Sequence, residues 1–372
     1  MSANRSALAD VLVERRICVC VGAGGVGKTT MSAAIALGLA ARGRRVALVT
    51  IDPSHRLAGA LALNELSNEP LTLSREHLAP TGLELRGEVC AMVLDPKRTF
   101  DELVWQLAPD ARTRERVLGN RIYRELSNAV GGSHEFSAVA KLYELDRSNA
   151  YDAIVLDTPP SRNTLDFLRA PERLIQFFDA RTLRVLLAPA GLGARLAGRA
   201  GAPALAVIRH LVGVDLLAEI ALFLSAISGL LSGFRERASA VEALLRDPAS
   251  AFIMVSSPER EPVRESIAFA GALREAQIPL GGLVVNRVHS AEAGTADAIE
   301  TALTEAVGER LAHVVAASEA RARVLAERDK VGIGGLDAAL GDVPHARIPA
   351  FNGGLGELET LGAVARSLFD QR

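Results

Sequence analysis

The sequence predicts a doubly wound, mostly parallel α/β sheet. Three observations carry that expectation. Short apolar runs alternate with stretches of helical periodicity along most of the chain. The first run, from Ile17, passes directly into a glycine loop and then into a helical pattern. The chemically distinctive residues fall at the C-terminal ends of the runs, where open parallel sheets bind their ligands.

The glycine loop comes first. Gly22-Ala23-Gly24-Gly25-Val26-Gly27-Lys28-Thr29 completes the phosphate-binding pattern G-x-x-x-x-G-K-[ST], in the strand–loop–helix setting that the pattern requires. Backbone N–H groups of Gly24, Gly25, Val26 and Gly27 can turn inward around a phosphate with no Cβ in the way at the glycines. The N-terminus of the following helix, at Lys28, Thr29 and Thr30, adds partial positive charge. Lys28 suits β- and γ-phosphate oxygens, and the Thr29 hydroxyl suits Mg²⁺.

The chain as a whole sets bounds. Its 372 residues make one large domain or two modest ones, and a hydrophobic share of 49% suffices for a sizeable core. A net charge of −2 gives no bulk electrostatic case for a nucleic-acid partner. The N-terminus carries Asp10 within its first apolar stretch and does not read as a secretory signal. Cys18 and Cys20 fall on one face of the first strand and read as small buried hydrophobes of a reducing, cytoplasmic setting.

In order, residues 5–16 suggest a short helix, and Gly43 ends the helix after the phosphate loop. Residues 45–51 read as a second strand that delivers Asp52-Pro53-Ser54-His55-Arg56-Leu57. An Asp-Pro after a strand is by itself a turn or a helix cap, but beside a phosphate loop Asp52 is placed to orient an attacking water. Residues 58–87 read as a less regular connector, 88–95 as a third strand, and 97–107 and 112–126 as helices. Gly131-Gly132 interrupts before a helix at 136–145. A fourth strand, 151–156, ends in Asp157, the Walker B arrangement whose carboxylate holds Mg²⁺ through water, opposite Thr29.

Residues 171–246 are rich in Leu, Ala and Gly and read as several helices. Within them Ile220 to Phe234 is uncharged, which leaves three readings: a buried helix, a groove for an apolar client, or a membrane span. Residues 251–256 and 278–286 read as the fifth and sixth strands. The sixth ends in Asn286, either a turn residue or a donor–acceptor pair for an adenine edge. Two helical stretches and an amphipathic segment with Leu358, Leu361, Val364 and Leu368 complete the chain. That segment's polar face mixes acids with Arg366, which points to packing on the core rather than to a membrane surface.

Three stretches carry a resemblance. Gly24 to Thr30 matches the deviant Walker A motif K-G-G-V-G-K-T-T of the MinD/ParA/ArsA ATPases, with Ala23 at the signature lysine. Asp52, Pro53, His55 and Leu57 match the switch I sequence D-P-A-H-x-L. Asp157, Thr158, Pro160, Thr164, Leu165, Phe167 and Leu168 match the switch II sequence D-T-A-P-T-G-H-T-L-R-F-L, with Asn163 in place of its histidine. The chain thus resembles the ArsA/Get family of ATPases, as a single-P-loop bacterial member lacking the signature lysine.

The resemblance implies a P-loop NTPase fold of the SIMIBI type, with residues 1–170 and 250–372 as the ATPase domain and 171–249 as an inserted helical subdomain. It implies ATP and Mg²⁺ as ligands, with Lys28, Asp52 and Asp157 as catalytic residues and Thr29 and Asp157 at the metal. It makes Asn286 the adenine reader and places Pro349 and Phe351 in the strand and loop that cover the base. A dimer is expected, switching a helical site for a hydrophobic client or membrane protein, in a cytoplasmic or membrane-peripheral location. A metalloid- or anion-pump motor and a MinD/ParA-like partitioning ATPase are the alternatives. No C-x-x-C follows Asn286, so no zinc clasp between subunits is expected. The missing lysine leaves two arrangements open: a homodimer using Arg56 or Arg162, or a heterodimer with a related lysine-bearing subunit.

Overall fold

A computed structural model describes residues 2–52, 56–121, 123, 133–158, 230–291, 296–351 and 356–369. Among them, eight strands form one sheet: β1 Ile17–Gly22, β2 Arg45–Thr50, β3 Leu71–Thr72, β4 Glu88–Val93, β5 Ala153–Asp157, β6 Ser250–Ser256, β7 Leu280–Val288 and β8 His345–Pro349. Their order is β3-β4-β2-β5-β1-β6-β7-β8. Every pairing is parallel except that of β3 with β4.

The doubly wound sheet expected from the alternating runs is therefore present. Its central strands are covered on both faces, and β1, β5 and β6 are buried along their whole length. Burial on two faces is why these segments read as continuous apolar runs rather than as alternating ones. β3 went unrecognised inside the 58–87 connector. It has two residues, both exposed, too few for any periodicity to register.

The helices of this layer are α1 Ser2–Glu14, α2 Lys28–Ala41, α3 Arg56–Ala60 and α4 Arg75–Leu78 on the N-terminal side. A second set of helices lies between β4 and β6: α5 Pro96–Leu107, α6 Ala111–Leu118, α7 Ser133–Ser148 and α8 Leu231–Arg246. The C-terminal part adds α9 Arg260–Glu275, α10 Ala296–Val307, α11 Glu309–Leu340 and α12 Glu357–Phe369.

The chain divides into two compact units. The first comprises Met1–Val93, Ala150–Thr164 and Arg246–Arg372 and holds the sheet. The second comprises Leu94–Asn149 and Leu165–Leu245. The helical insertion expected at 171–249 falls largely in the second unit, which also takes in the α5–α7 stretch. Most of 171–249, most of the Ile220 to Phe234 run and Arg162 lie outside the described residues. Among the described residues, no helix is long and apolar enough to cross a membrane. The helix expected over 112–126 is interrupted: its first part ends at Leu118 with Gly119 as its C-cap, the Asn120 side chain accepts a bond from the Tyr123 N–H at 3.3 Å, and Arg121 and Tyr123 are helical again, while 122 and 124–126 lie outside the described residues.

α2 and α12 hold the site's side of the sheet. Met31 to Ala40 of α2 are buried without exception. The apolar face of α12 (Leu358, Leu361, Val364 and Leu368) is buried too, and acids occupy its first turn, where the helix dipole favours them. Arg42 on α2's C-cap donates to the Phe369 carbonyl at 2.9 Å and stacks over the Phe369 ring at 4.5 Å from its centroid. Arg366 donates to the Thr81 carbonyl at 3.0 Å. Beside it, α12 approaches the short turn Ala79–Thr81 so closely that a Cβ on Gly362 would lie 1.9 Å from the Thr81 oxygen.

That close approach is testable. Gly362→Ala should lower the unfolding free energy by ~1–3 kcal/mol, because the obstacle is a backbone carbonyl with no side chain to swing aside. Chemical denaturation measures the loss, and an unchanged midpoint would mean that α12 does not dock as described.

Candidate functional site

β1 and β2 are consecutive in sequence but not neighbours in the sheet, because β5 lies between them. Cys20 on β1 and Thr50 on β2 both register with Asp157. The phosphate loop after β1, Asp52 after β2 and Asp157 at the tip of β5 therefore emerge side by side. All three come from the C-terminal edge of a parallel sheet.

Asp157 is the centre of this edge. Its Oδ2 accepts the Thr29 hydroxyl at 2.8 Å and the Thr50 hydroxyl at 3.0 Å, and the Ser32 hydroxyl lies 3.4 Å from Oδ1. The carboxyl is buried. Burial pushes its pKa up to about 6, opposed by the hydroxyl hydrogen bonds from Thr29 and Thr50 and by the charge of Lys28. A hydroxyl and a carboxylate at hydrogen-bonding distance make a hard-oxygen donor set, and that set fits Mg²⁺.

The phosphate loop is set by its glycines. Gly27 is the N-cap of α2 at φ 94°, a left-handed conformation that strains any other residue, and it offers no side-chain cap. The first N–H groups of α2 are thus left to a ligand. Lys28 is folded back on its own loop: Nζ donates to the Ala23 carbonyl at 2.8 Å and to the Gly22 carbonyl at 3.1 Å. Burial holds its ammonium below the usual lysine range. Ala23 is itself buried, its methyl part of the core.

A cavity of about 290 Å³ opens on this loop. Of the residues expected from the sequence, Gly25, Gly27, Lys28, Thr29, Thr30 and Asp52 line it. Arg56, Ala60, Thr158 and Arg287 line it as well. Arg56 lies 3.6 Å from Asp52, one helical turn on, as an exposed guanidinium against a mostly buried carboxylate. Thr158 is held by its hydroxyl, which donates to the Cys20 carbonyl at 2.7 Å. Arg287 was not among the expected site residues. Its only sequence signal is a cation placed immediately after a strand-end Asn.

Gly24, Val26, Asp157, Asn286, Pro349 and Phe351 are not among the lining residues. Asn286 stands at the strand end as expected, but its carboxamide is turned to the phosphate loop. Nδ2 donates to the Val26 carbonyl at 2.8 Å, and Oδ1 accepts from the Arg287 N–H at 2.9 Å. Each of these atoms keeps a second position, the other amide proton and the other oxygen lone pair, for a further partner. Pro349 ends β8 and, like Phe351, is exposed. Pro53 to His55 of the switch I stretch, and the switch II residues from Pro159 onward, lie outside the described residues.

Comparison with known proteins agrees with this geometry. Residues 15–200, half of the chain, match the model of a family described as anion-transporting ATPase. ATPase ARSA1 of Chlamydomonas reinhardtii is 30% identical over 307 residues, covering 76% of this chain and 36% of that protein. ATPase get3 of Botryotinia fuckeliana is 32% identical over 150 residues, covering 40% of each. ATPase GET3A of Arabidopsis thaliana is 26% identical over 268 residues, covering 72% of this chain and 65% of that protein. The chain thus spans well under two thirds of the length of the first two. With the family match spanning the phosphate loop, Asp52 and Asp157 on a P-loop NTPase sheet, the chain belongs to the ArsA/Get family of anion-transporting ATPases.

Proposed function

We propose that the chain is a Mg²⁺-dependent ATPase that works as a dimeric switch, using ATP to open and close a helical client site. The observation that carries the catalytic part is the meeting of Thr29, Thr50 and Asp157 beneath a cavity lined by Lys28 and Asp52. On this reading the loop N–H groups and Lys28 bind the β- and γ-phosphates, with Lys28 leaving the Ala23 and Gly22 carbonyls to do so. Asp52 orients the water that attacks the γ-phosphorus. Thr29 and Asp157 would hold Mg²⁺, Asp157 through water, and the ion would supply positive charge at the phosphate oxygens.

The client part draws on the resemblance to the Get branch and on the apolar helical insertion, and it extends to membrane-protein targeting or a transport-related process in the cytoplasm. A metalloid or anion pump is the second reading, favoured by the family's description as anion-transporting. A thiolate site for a soft metalloid finds little support. The chain's three cysteines are all buried, and burial pushes the Cys18 thiol up to about 12 and Cys20 higher still.

Three variants test the catalytic roles. Lys28→Ala should abolish ATP hydrolysis with the fold intact. Asp52→Asn should bind Mg·ATP nearly normally and turn it over at least ~100-fold more slowly. Asp157→Asn should raise the Mg²⁺ concentration needed for half-maximal rate. Steady-state hydrolysis with a Mg²⁺ titration reads all three, and wild-type turnover by Lys28→Ala would remove the ATPase reading.

The Asp157 carboxyl also predicts a pH dependence. Its folded pKa of about 6 lies above its ordinary value of 3.8, so the metal-free native state binds the proton more tightly than the unfolded chain does. Raising the pH from ~4 through ~6 should therefore destabilise the metal-free protein, by the order of 3 kcal/mol from this group. Asp157→Asn should remove that slope in paired denaturation curves. Mg²⁺ affinity should fall as pH drops below ~6, where a proton competes for the carboxylate. Parallel pH slopes for wild type and variant would show that Asp157 ionises normally.

A further inference from the structure

Among the described residues, the cavity on the phosphate loop is lined by three cations, Lys28, Arg56 and Arg287, against one carboxylate, Asp52. Two of the cations are engaged. Lys28 is held by the Gly22 and Ala23 carbonyls, and Arg56 lies 3.6 Å from Asp52. Arg287 makes no side-chain hydrogen bond or ion pair among the described residues, and its side chain is exposed to the cavity's solvent.

Its backbone, by contrast, is fixed from both sides. The preceding Asn286 bridges to the phosphate loop at Val26 and accepts the Arg287 N–H. Two residues on, buried Asp329 of α11 accepts the His289 N–H at 2.9 Å and faces His289 Nδ1 at 2.8 Å, while Arg328 closes on its other oxygen at 2.8 Å. Between these anchors Arg287 sits at φ 59°, a left-handed conformation uncommon for a long side chain. Such a conformation persists only where the surroundings impose it, and it redirects the side chain relative to an ordinary strand continuation.

The position that carries a lysine in the related deviant loops is Ala23 here, with its methyl in the core. We infer that Arg287 supplies, from within the same subunit, the positive charge toward the nucleotide polyphosphate that Ala23 withholds. This rests on the nucleotide-binding reading above. The guanidinium is always charged and presents planar paired donors, which suits phosphate oxygens. The Asn286 bridge makes its placement depend on the conformation of the phosphate loop itself.

The test uses the full chain and calorimetric titration with Mg·ATP and with adenosine, for wild type, Lys28→Ala, Arg287→Gly and Arg287→Lys. Glycine keeps the left-handed backbone without strain and removes only the guanidinium. Arg287→Gly should weaken Mg·ATP binding by roughly tenfold or more, leave adenosine binding unchanged and leave the unfolding midpoint at or above that of wild type. Its ATP affinity should also fall less steeply with salt, and Arg287→Lys should recover part of the loss. Arg287→Gly binding ATP within about twofold of wild type, while Lys28→Ala loses it, would overturn this inference and spare the nucleotide reading. Equal losses for ATP and adenosine would overturn the polyphosphate assignment. A wild-type chain that binds no ATP would overturn the nucleotide reading, and this inference with it.

Discussion

The site depends on one buried carboxylate. Asp157 ends β5 between β1 and β2, and its Oδ2 accepts hydroxyls from the elements that follow or form both neighbours, Thr29 and Thr50. Charged groups are rarely buried without partners, because desolvation costs more than most contacts return. Here three hydroxyls, those of Thr29, Thr50 and Ser32, supply the partners while the pKa remains raised, so the group is tolerated rather than satisfied. A cation beside it would relieve that tension. The same feature that weakens the metal-free fold thus makes the site receptive to a divalent ion.

The strand order turns this into geometry. Because β5 separates β1 from β2, groups far apart in the chain arrive at one edge with no long loop to position them. The scaffold below is rigid: β1 and β5 are buried throughout, and α2 lies buried from Met31 to Ala40. Cys18 and Cys20 belong to that scaffold, as small residues in the central strand with no chemistry left to them. Lys28 has loop carbonyls as its present partners, and any anion that binds must compete with them.

Most of the frame was legible. The apolar runs marked six strands and the family resemblance a seventh near Arg347, and all seven belong to the sheet. Burial on both faces makes such runs hard to mistake. The phosphate loop, Asp52 and Asp157 were legible because their chemistry demands particular residues at particular strand ends. β3 was not legible, since two exposed residues carry no pattern. The break in the 112–126 stretch was not legible, because Gly119 is a mild breaker in sequence and a C-cap only in context. Asn286 was placed correctly on the chain, but which partner its carboxamide would take depends on Val26, 260 positions away.

By itself the sequence determined the alternation of strands and helices, the phosphate loop and the acids at the strand ends, because each is a local pattern tied to local physics. Tertiary structure alone decided that β5 lies between β1 and β2, that Thr50 shares the carboxylate with Thr29, and that Arg287 stands at the cavity. These follow from how separated segments pair and pack. A strand's neighbours and a side chain's partners are chosen by burial and hydrogen bonding across the whole sheet, and no window along the chain contains both members of those contacts.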